Sequence, residues 1–474
     1  MRNNSFDVGI IGSGIGGLVA GCYLASRGFK TVILEKNSTL GGYCNYVKIG
    51  GTIIDAFAHS VGSFRDGGRL GTVFKELNIR ENIVIKRNNP SDVVIVDDST
   101  VIPFWNDLNQ TISSLSKSFP SEKVGIKKFF LYLEKIKDTD FTPLLHISFF
   151  ELIRKFIKSP KLIGIIAIPL LGNLGLPPSK LSAFSGALLL KENILDGGYY
   201  PQGGMKQISE TIAQKYINCG GTVRLKSPVT KIIIQNKAVL AVEVCNSDII
   251  RCKYLVSDID ARSTFMGLIG ESALPSSFIK QLLNLEPSLS MFILYAVLKE
   301  MPRGAYYANS SNWFLPSYDI ESLFKALVSL NLKQKIPFLF KLAEESNSLL
   351  ALVNVPYKSL NYWKTHRDIF AKFFLKNISF VLPHLSDLIR YKTVSTPVVS
   401  ENWTGNYMGA SYGWAAVNDQ LFVKGLTIST PFQNLYCVSH WTTISPGIPG
   451  VAYIARSAAF KIMRKEGAVP NEKY

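Results

Sequence analysis

The sequence predicts an α/β fold in which a discontinuous domain, built on a parallel sheet, carries an α+β domain with a helical insertion. Three observations lead to this prediction. A strand, a glycine-rich turn, a helix and a second strand follow one another within residues 6–36. The pattern of residues 108–191 is helical, with apolar residues three and four positions apart. Strand-like segments return at residues 222–257 and 431–438, so the chain leaves the first sheet and rejoins it twice.

The glycine-rich turn matches the pattern G-x-G-x-x-G between a short apolar strand and a helix. It consists of Gly12, Ser13, Gly14, Ile15, Gly16 and Gly17. Gly12 allows a tight turn, Gly14 lets backbone N–H groups approach a pyrophosphate, and Gly17 permits close packing of the helix that follows. Together with the flanking strands, the turn predicts a Rossmann-type dinucleotide-binding motif rather than a plain glycine-rich loop.

The second strand ends in an acid that suits the same motif. Glu35 comes about 20 residues after the turn, where a carboxylate can accept the hydroxyls of an adenosine ribose. Lys36 follows, and the pair Gly41-Gly42 brings further backbone close to the pyrophosphate and the adjoining ring. This arrangement, E-K-x-x-x-x-G-G after GxGxxGG, resembles the beginning of FAD-binding oxidoreductases of the amine oxidase and phytoene desaturase superfamily. The resemblance implies FAD, rather than NAD, as the cofactor.

The C-terminal segment resembles a narrower group within that superfamily. Motifs of the form G-A-x-Y-G-W, N-L-Y, H-W-T and G-I-P-G-V are similar to those of carotenoid desaturases, prolycopene isomerase-like enzymes and retinol saturase-like enzymes. The last motif opens a helix whose positive N-terminus favours the negative charge of reduced flavin, so we expect Gly450 and Val451 to contact the flavin. The sequence departs from the group at Ser439, where Gly is usual, and at residues 444–446, where a glycine-rich run is usual.

These segments divide the chain into alternating pieces of two domains. We expect an FAD-binding domain from residues 1–70, 196–270 and 426–474, and a substrate domain from residues 71–195 and 271–425. Within the second FAD-binding piece, the resemblance implies that the backbone of Val229 meets the adenine.

The amino-acid composition and charge limit the kinds of molecule that the protein is expected to bind. The chain has 474 residues, 47% of them apolar, and a formal net charge of +17. Basic residues are spread along the chain and form no tail or arginine-rich block, so nucleic acid is a poor candidate partner. Two interpretations of the charge remain open, a solvated basic surface and a face attracted to anionic lipid.

The cysteines and the N-terminus favour an intracellular protein. The six cysteines include no CxxC pair and have no metal-ligand spacing with histidine, so we expect reduced thiols and no metal. The first strand begins a few residues after Met1, without a signal or transit peptide before it. We therefore expect a cytoplasmic protein, bound peripherally to membranes.

Two apolar stretches suggest that membrane contact. Residues 162–179 carry no charge, but Pro169, the glycines and Pro177-Pro178 argue against a straight spanning helix. A buried helix that lines a hydrophobic substrate tunnel and a monotopic patch in one leaflet both fit this stretch. Residues 318–346 mix lysines with apolar residues and are predicted to be helical, facing either the core or lipid.

The resemblance implies an FAD-dependent oxidoreductase that acts on a long apolar polyene or isoprenoid by hydride transfer with the flavin N5. Desaturation, isomerisation and saturation of a double bond all use this scaffold. His59, His440 and Tyr199 are candidates for the accompanying proton step, although the sequence slightly favours a structural role for His59, hydrogen-bonded within a loop. A flavin amine oxidase and a non-catalytic lipid-binding flavoprotein are the alternatives. No second G-x-G-x-x-G follows a strand, so the electron acceptor stays open among oxygen, a quinone and a protein partner.

Overall fold

The computed structural model describes residues 4–136, 142–304, 306–443 and 447–468. Its helices are α1 Ile15–Ala25, α2 Arg69–Glu76, α3 Leu108–Ser118, α4 Lys123–Lys135, α5 Phe149–Arg154, α6 Pro160–Leu174, α7 Ala183–Leu189, α8 Lys206–Asn218, α9 Ser276–Asn284, α10 Ile320–Ser329, α11 Leu360–Ser379, α12 Leu385–Leu388, α13 Pro397–Thr404 and α14 Ile448–Lys465.

The strands follow the same chain order. They are β1 Ser5–Ile11, β2 Thr31–Leu34, β3 Tyr46–Ile49, β4 Thr52–Asp55, β5 Ile85–Arg87, β6 Asp92–Val96, β7 Val101–Phe104, β8 Tyr199–Pro201, β9 Thr222–Arg224, β10 Val229–Gln235, β11 Ala238–Val244, β12 Asp248–Ser257, β13 Ser290–Leu298, β14 Ser311–Leu315, β15 Phe338–Ala343, β16 Ser348–Val355, β17 Ile389–Ser395 and β18 Leu435–Cys437.

The first large sheet has the strand order β10-β11-β12-β1-β2-β9, with β18 also paired to β12. Strand β1 lies at its centre and pairs in parallel with both β12 and β2. Its apolar residues Val8 and Ile10 are fully buried in one cluster with residues of α1, α8 and α14. The sheet collects strands from residues 5–34, 222–257 and 435–437, so the chain does return to it twice. The predicted α/β fold is confirmed.

The second large sheet has the order β17-β13-β16-β15-β14-β6-β7. Adjacent strands within this sheet run antiparallel, except for the pair β14 and β6, which run parallel. All nine residues of β13 and all eight of β16 are buried, so both faces of the sheet are covered. The helical insertion predicted over residues 108–191 is present as α3 to α7.

An ion pair joins three of the helices on one face of the first sheet. Glu76, at the end of α2, accepts two hydrogen bonds of 2.7 Å from the guanidinium of Arg456 in α14. The hydroxyl of Tyr23 in α1 donates to the same carboxylate at 2.6 Å. The Arg456 side chain is only 9% exposed, so this cluster fixes α14 against α1 and α2.

The apolar stretch that begins at residue 162 forms helix α6, which lies inside the molecule. Ser159 caps its N-terminus by accepting from the N–H of Leu162, and Gly175 ends it in a left-handed conformation at φ +71°. Residues 162–171 are all buried. Of the two alternatives for this stretch, the structure supports the buried helix, and the helix offers no apolar face to a membrane.

The helix predicted over residues 318–346 was only partly right. Helix α10 ends at Ser329, and the chain then enters β15, an interior strand of the second sheet. In α10 the side chains of Ile320, Leu323 and Leu327 face the core, as do the apolar residues of β15, whereas Val328 is 39% exposed. Across the described ranges of the chain, the helices are either too short or too polar to cross a bilayer.

Candidate functional site

A cavity of about 490 Å³ runs between the two large sheets. Its turn end is lined by the glycine-rich turn, Glu35 and Val229, and its sheet end by side chains from the inner face of the second sheet and by helix α6. The sheet end is formed by Asp92, Ile168, Leu171, Leu174, Met291, Trp313, Leu339, Leu352 and Asn354. The cavity therefore joins the predicted nucleotide motif to an apolar chamber.

At the turn end, several positions have no room for any residue larger than glycine. A Cβ added to Gly14 would lie 2.7 Å from a carboxylate oxygen of Asp258, and one added to Gly17 would lie 2.3 Å from the carbonyl oxygen of Gly12. Gly12 itself has φ +92°. Of the predicted turn residues, Gly12, Ser13, Gly14 and Ile15 line the cavity. Gly16 and Gly17 do not line it and instead allow the first turn of α1 to pack closely against neighbouring backbone.

The predicted acid and the second glycine pair also lie on the cavity wall. Glu35 is 7% exposed, and its carboxylate accepts from the N–H and hydroxyl of Ser13 at 3.0 and 2.6 Å and from the N–H of Asn37 at 2.8 Å. Gly41 and Gly42 line the cavity with φ of +111° and +55°. Lys36 lines it as well, but its ammonium donates to the carbonyl of Asn402, so its charge is directed toward α13.

Asp258, at the carboxyl end of β12, faces the same turn. The pKa of its carboxyl is raised to about 8, mainly by burial and also by the charge of Glu35, while the N–H groups of Gly17 and Gly14 oppose the shift. Its Oδ2 is buried without a hydrogen-bond partner among the described residues. A protonated, neutral Asp258 is compatible with an anion bound at this turn.

The start of helix α14 forms another part of the wall. The helix begins at Ile448, within the predicted G-I-P-G-V motif, and its N-cap Gly447 supplies no side-chain cap. Gly447, Ile448, Pro449 and Val451 line the cavity, while the predicted contact Gly450 is buried behind them. Uncapped N–H groups and the positive helix end are therefore directed at the cavity. Residues 444–446 lie outside the described residues.

His440 and His59 both line the cavity, and both are neutral. Burial lowers the pKa of His440 to about 4. Burial, reinforced by the nearby Lys341 charge, lowers the pKa of His59 to about 3. Neither ring is protonated to the imidazolium near neutral pH, so their surroundings give no support to the expectation that they act as acids in the proton step.

A buried lysine holds the loop that carries His59. The ammonium of Lys341, on β15, donates to the carbonyl oxygen of His59 at 2.6 Å and lies 3.1 Å from the centre of the Tyr200 ring. Tyr200 donates to Asp55 at 2.7 Å, and that carboxylate also accepts from the N–H of Met205 at 2.8 Å. Burial lowers the pKa of Lys341 to about 7, while the charge of Asp55 opposes the shift. This cluster ties the second sheet to the loop at residues 56–60.

Three aromatic side chains line the cavity between its two ends. The rings of Tyr43 and Phe57 lie 4.3 Å apart, and those of Phe57 and Tyr412 lie 6.2 Å apart, edge to face. The hydroxyl of Tyr412 donates to the carbonyl of Gly172 in α6, and that of Tyr43 donates to the carbonyl of Ala410. The rings pack directly on one another and make a continuous apolar surface.

Tyr199, the third candidate for a proton step, does not line the cavity. It lies on β8, its hydroxyl donates to Asp196 at 3.1 Å, and Arg87 lies over its ring. Sequence reasoning missed Asp92, Trp313 and Lys341, which the structure places at or behind the cavity wall. No motif marks them, because an isolated Asp before an apolar strand and an isolated Lys within one are ordinary features.

The residues present fit a bound dinucleotide. The backbone at Gly14 leaves room for a pyrophosphate, the carboxylate of Glu35 is an acceptor that two hydroxyls can use, and the uncapped start of α14 suits an anionic ring. Val229, at the first position of β10, lines the turn end, where the adenine is expected.

Comparison with known proteins agrees with this geometry. The family model described as flavin containing amine oxidoreductase matches residues 15–262, just over half of the chain. Prolycopene isomerase from Daucus carota is 23% identical over 97% of this chain and 80% of its own length. All-trans-retinol 13,14-reductase from Rattus norvegicus is 22% identical over 91% of this chain and 81% of its own. An oxidoreductase from Methanosarcina mazei superposes with a TM-score of 0.69 at 17% identity, over 95% of this chain and 99% of its own.

The chain belongs to the flavin containing amine oxidoreductase family. It is an FAD-dependent oxidoreductase, and the resemblance to carotenoid isomerases and retinol saturases drawn from its motifs is confirmed by these relatives.

Proposed function

We propose that the protein exchanges hydride between FAD and a long apolar polyene or isoprenoid, by desaturation, isomerisation or saturation. The observation that carries this proposal is the continuity of the cavity, which leads from the glycine-rich turn to the inner face of the second sheet. At that end the wall is made mostly of Ile, Leu, Met and Trp side chains, which suit a hydrocarbon. The names of the two enzyme relatives point to the same substrate class.

The residues of the chain bind and orient the reactants and exclude water from them. Glu35 and the backbone at Gly14 would hold the adenosine and pyrophosphate, and the start of α14 would face the ring system. When bound, FAD supplies hydride acceptance or donation at N5. Helix α6 and the second sheet enclose the apolar chain of the substrate, so water is excluded and the reacting carbons are positioned.

An amine oxidase is the first alternative, because the family model carries that description. A site for a neutral amine would need aromatic rings that face each other across a gap. The rings of Tyr43, Phe57 and Tyr412 pack on one another instead, and the chamber beyond them is apolar. A non-catalytic lipid-binding flavoprotein is the second alternative.

Anaerobic incubation separates the three. Holoenzyme, either oxidised or reduced with dithionite, is mixed with all-trans-retinol, a linear carotene or benzylamine, while flavin absorbance and product masses are followed. We expect altered polyene products and no amine oxidation. Flavin bleaching by the amine alone would establish an amine oxidase, and bound FAD with no turnover of any polyene would favour the lipid-binding protein.

Peripheral contact with an anionic membrane is a further proposal. Its support is the net charge of +17 and the exposed lysines of α4, which include Lys123, Lys127 and Lys128. We expect the protein to sediment with phosphatidylserine vesicles at low salt and a K127E/K128E variant to sediment less. Wild-type protein that stays in the supernatant contradicts this proposal.

A further inference from the structure

Hydride exchange with a carbon–carbon double bond needs a group that gives a proton to the substrate or takes one from it. The inference that follows rests on the proposed function. Adding hydride to one alkene carbon leaves the neighbouring carbon to be protonated, and desaturation requires the reverse. The neutral imidazoles of His59 and His440 are poor donors. Within the described chain, three carboxyls line the cavity, and two of them, Glu35 and Asp258, lie at the turn end.

Asp92 is the third, and it lies at the sheet end. It is the first residue of β6, next to Ser311 of β14 in the parallel register, and it is 3% exposed. Its Oδ1 accepts a hydrogen bond of 2.8 Å from the indole Nε1 of Trp313. The ring of Trp313 also lines the cavity, and a Cβ added to Gly172 of α6 would lie 1.9 Å from that ring, so Trp313 is fixed in place.

No cation neutralises this carboxyl among the described residues. Burial raises the pKa of Asp92 to about 7, against the hydrogen bonds from Trp313 and Ser91. The titratable groups on neighbouring elements are His59, whose ring meets Trp313 edge to face at 6.2 Å, and Lys341, on β15 of the same sheet. Neither contributes to the shift of Asp92. A buried carboxyl poised in this way can give or take a proton near neutral pH.

We propose that Asp92 is the catalytic acid and base that exchanges a proton with the substrate. In saturation, one alkene carbon would receive the hydride that FAD supplies when it is bound and reduced. The O–H bond of Asp92 breaks, a C–H bond forms at the adjacent carbon from the electron pair of the double bond, and Asp92 is left as the carboxylate. In desaturation the carboxylate removes that proton as hydride leaves to oxidised FAD. Trp313 holds the carboxyl in position and stabilises its charged form.

The first test compares three forms of the holoenzyme in D2O. Dithionite-reduced wild type, D92N and D98N are mixed with all-trans-retinol, and product formation is followed with mass analysis for solvent deuterium. Asp98 is a matched control, because it lies on the exposed turn that follows the same strand. General acid–base catalysis contributes roughly 10²- to 10⁴-fold, so we expect D92N to be slowed by at least about 100-fold and D98N to match wild type. Retained FAD absorbance shows that D92N is folded.

The second test measures the titration of the Asp92 carboxyl in the absence of turnover. The protein has six tryptophans, so the indole ¹⁵N–H resonance of Trp313 in the holoenzyme can be assigned with W313F. We expect this resonance to titrate with a midpoint near 7 in wild type and to stay fixed in D92N. If D92N does not fold, the test uses the titration of the wild-type Trp313 resonance and the turnover of D92E, which we expect to be slower than that of wild type.

The outcomes separate this inference from the proposed function. If wild type alters neither all-trans-retinol nor a linear carotene, the proposed function fails and the role of Asp92 fails with it. If wild type turns over a polyene and D92N does so within about threefold of the same rate, the assignment of Asp92 alone is overturned. A Trp313 resonance that does not titrate near neutral pH overturns it as well.

Discussion

Replacing Glu35 by Gln should weaken FAD binding and leave the fold intact. The carboxylate is buried, and it accepts from Ser13 twice and from Asn37 once, at 2.6 to 3.0 Å. Gln keeps the shape of Glu but presents an N–H₂ group where one of the acceptor oxygens stood. Each hydrogen bond to a charged acceptor contributes roughly 1.5–3 kcal/mol, so losing one to the ribose corresponds to roughly 10- to 150-fold in the dissociation constant.

The assay is titration of FAD into the FAD-free protein, followed by quenching of flavin fluorescence. E81Q is a matched control, because Glu81 is exposed and distant in sequence from the turn. We expect E81Q to bind as wild type does and E35Q to bind more weakly by the factor given above. Equal affinity of E35Q and wild type, with the same unfolding midpoint, would refute the assignment of Glu35 to the nucleotide.

The other predictions concern packing, an ion pair and a buried acid. Gly17→Ala places a methyl group 2.3 Å from the carbonyl oxygen of Gly12, so α1 must shift, and we expect purified protein without bound FAD; a normal flavin spectrum contradicts this. Glu76→Ala removes the carboxylate that pairs with the buried guanidinium of Arg456 and should lower the free energy of unfolding in urea by roughly 3 kcal/mol, a loss that adding Arg456→Met should partly reverse. Asp258 has its pKa raised to about 8, so the FAD-free native state keeps a proton that the unfolded chain has already released. The stabilisation by this group is present at low pH and is lost as the pH rises through 8, and Asp258→Asn should remove that part of the pH dependence in urea unfolding; an unchanged profile contradicts it.

The sequence revealed the nucleotide end of the site and little of the other end. The turn at Gly12 to Gly17 and the acid at Glu35 are close in sequence, and their spacing is set by local backbone geometry, so one segment of chain carries the whole signal. The cavity wall near Asp92 instead combines β6, β14 and a loop at residues 56–60. Only pairing of distant strands brings these together, and no local pattern encodes that pairing.

Burial left the interpretation of the first apolar stretch open and misled the prediction for the second. Helix α6 is apolar on all sides because it is packed on all sides, which gives the same composition as a lipid-facing helix. In β15, Lys341 interrupts an apolar run and imitates the spacing of an amphipathic helix. Its ammonium is buried against His59 and Tyr200, so the position that looked like a solvated face belongs to the support of the site.

The most direct test of the account is identification of the molecule that the cavity retains. FAD-loaded protein is exposed to a total lipid extract, purified again and denatured, and the released molecules are identified by mass spectrometry. Leu352→Trp, which fills the sheet end of the cavity, is compared with Leu240→Trp at an exposed position. We expect wild type and L240W to release FAD with a polyene or isoprenoid, and L352W to release FAD alone. Wild type that enriches amines or fatty-acyl lipids instead, or an L352W variant that retains as much polyene as wild type, would contradict it.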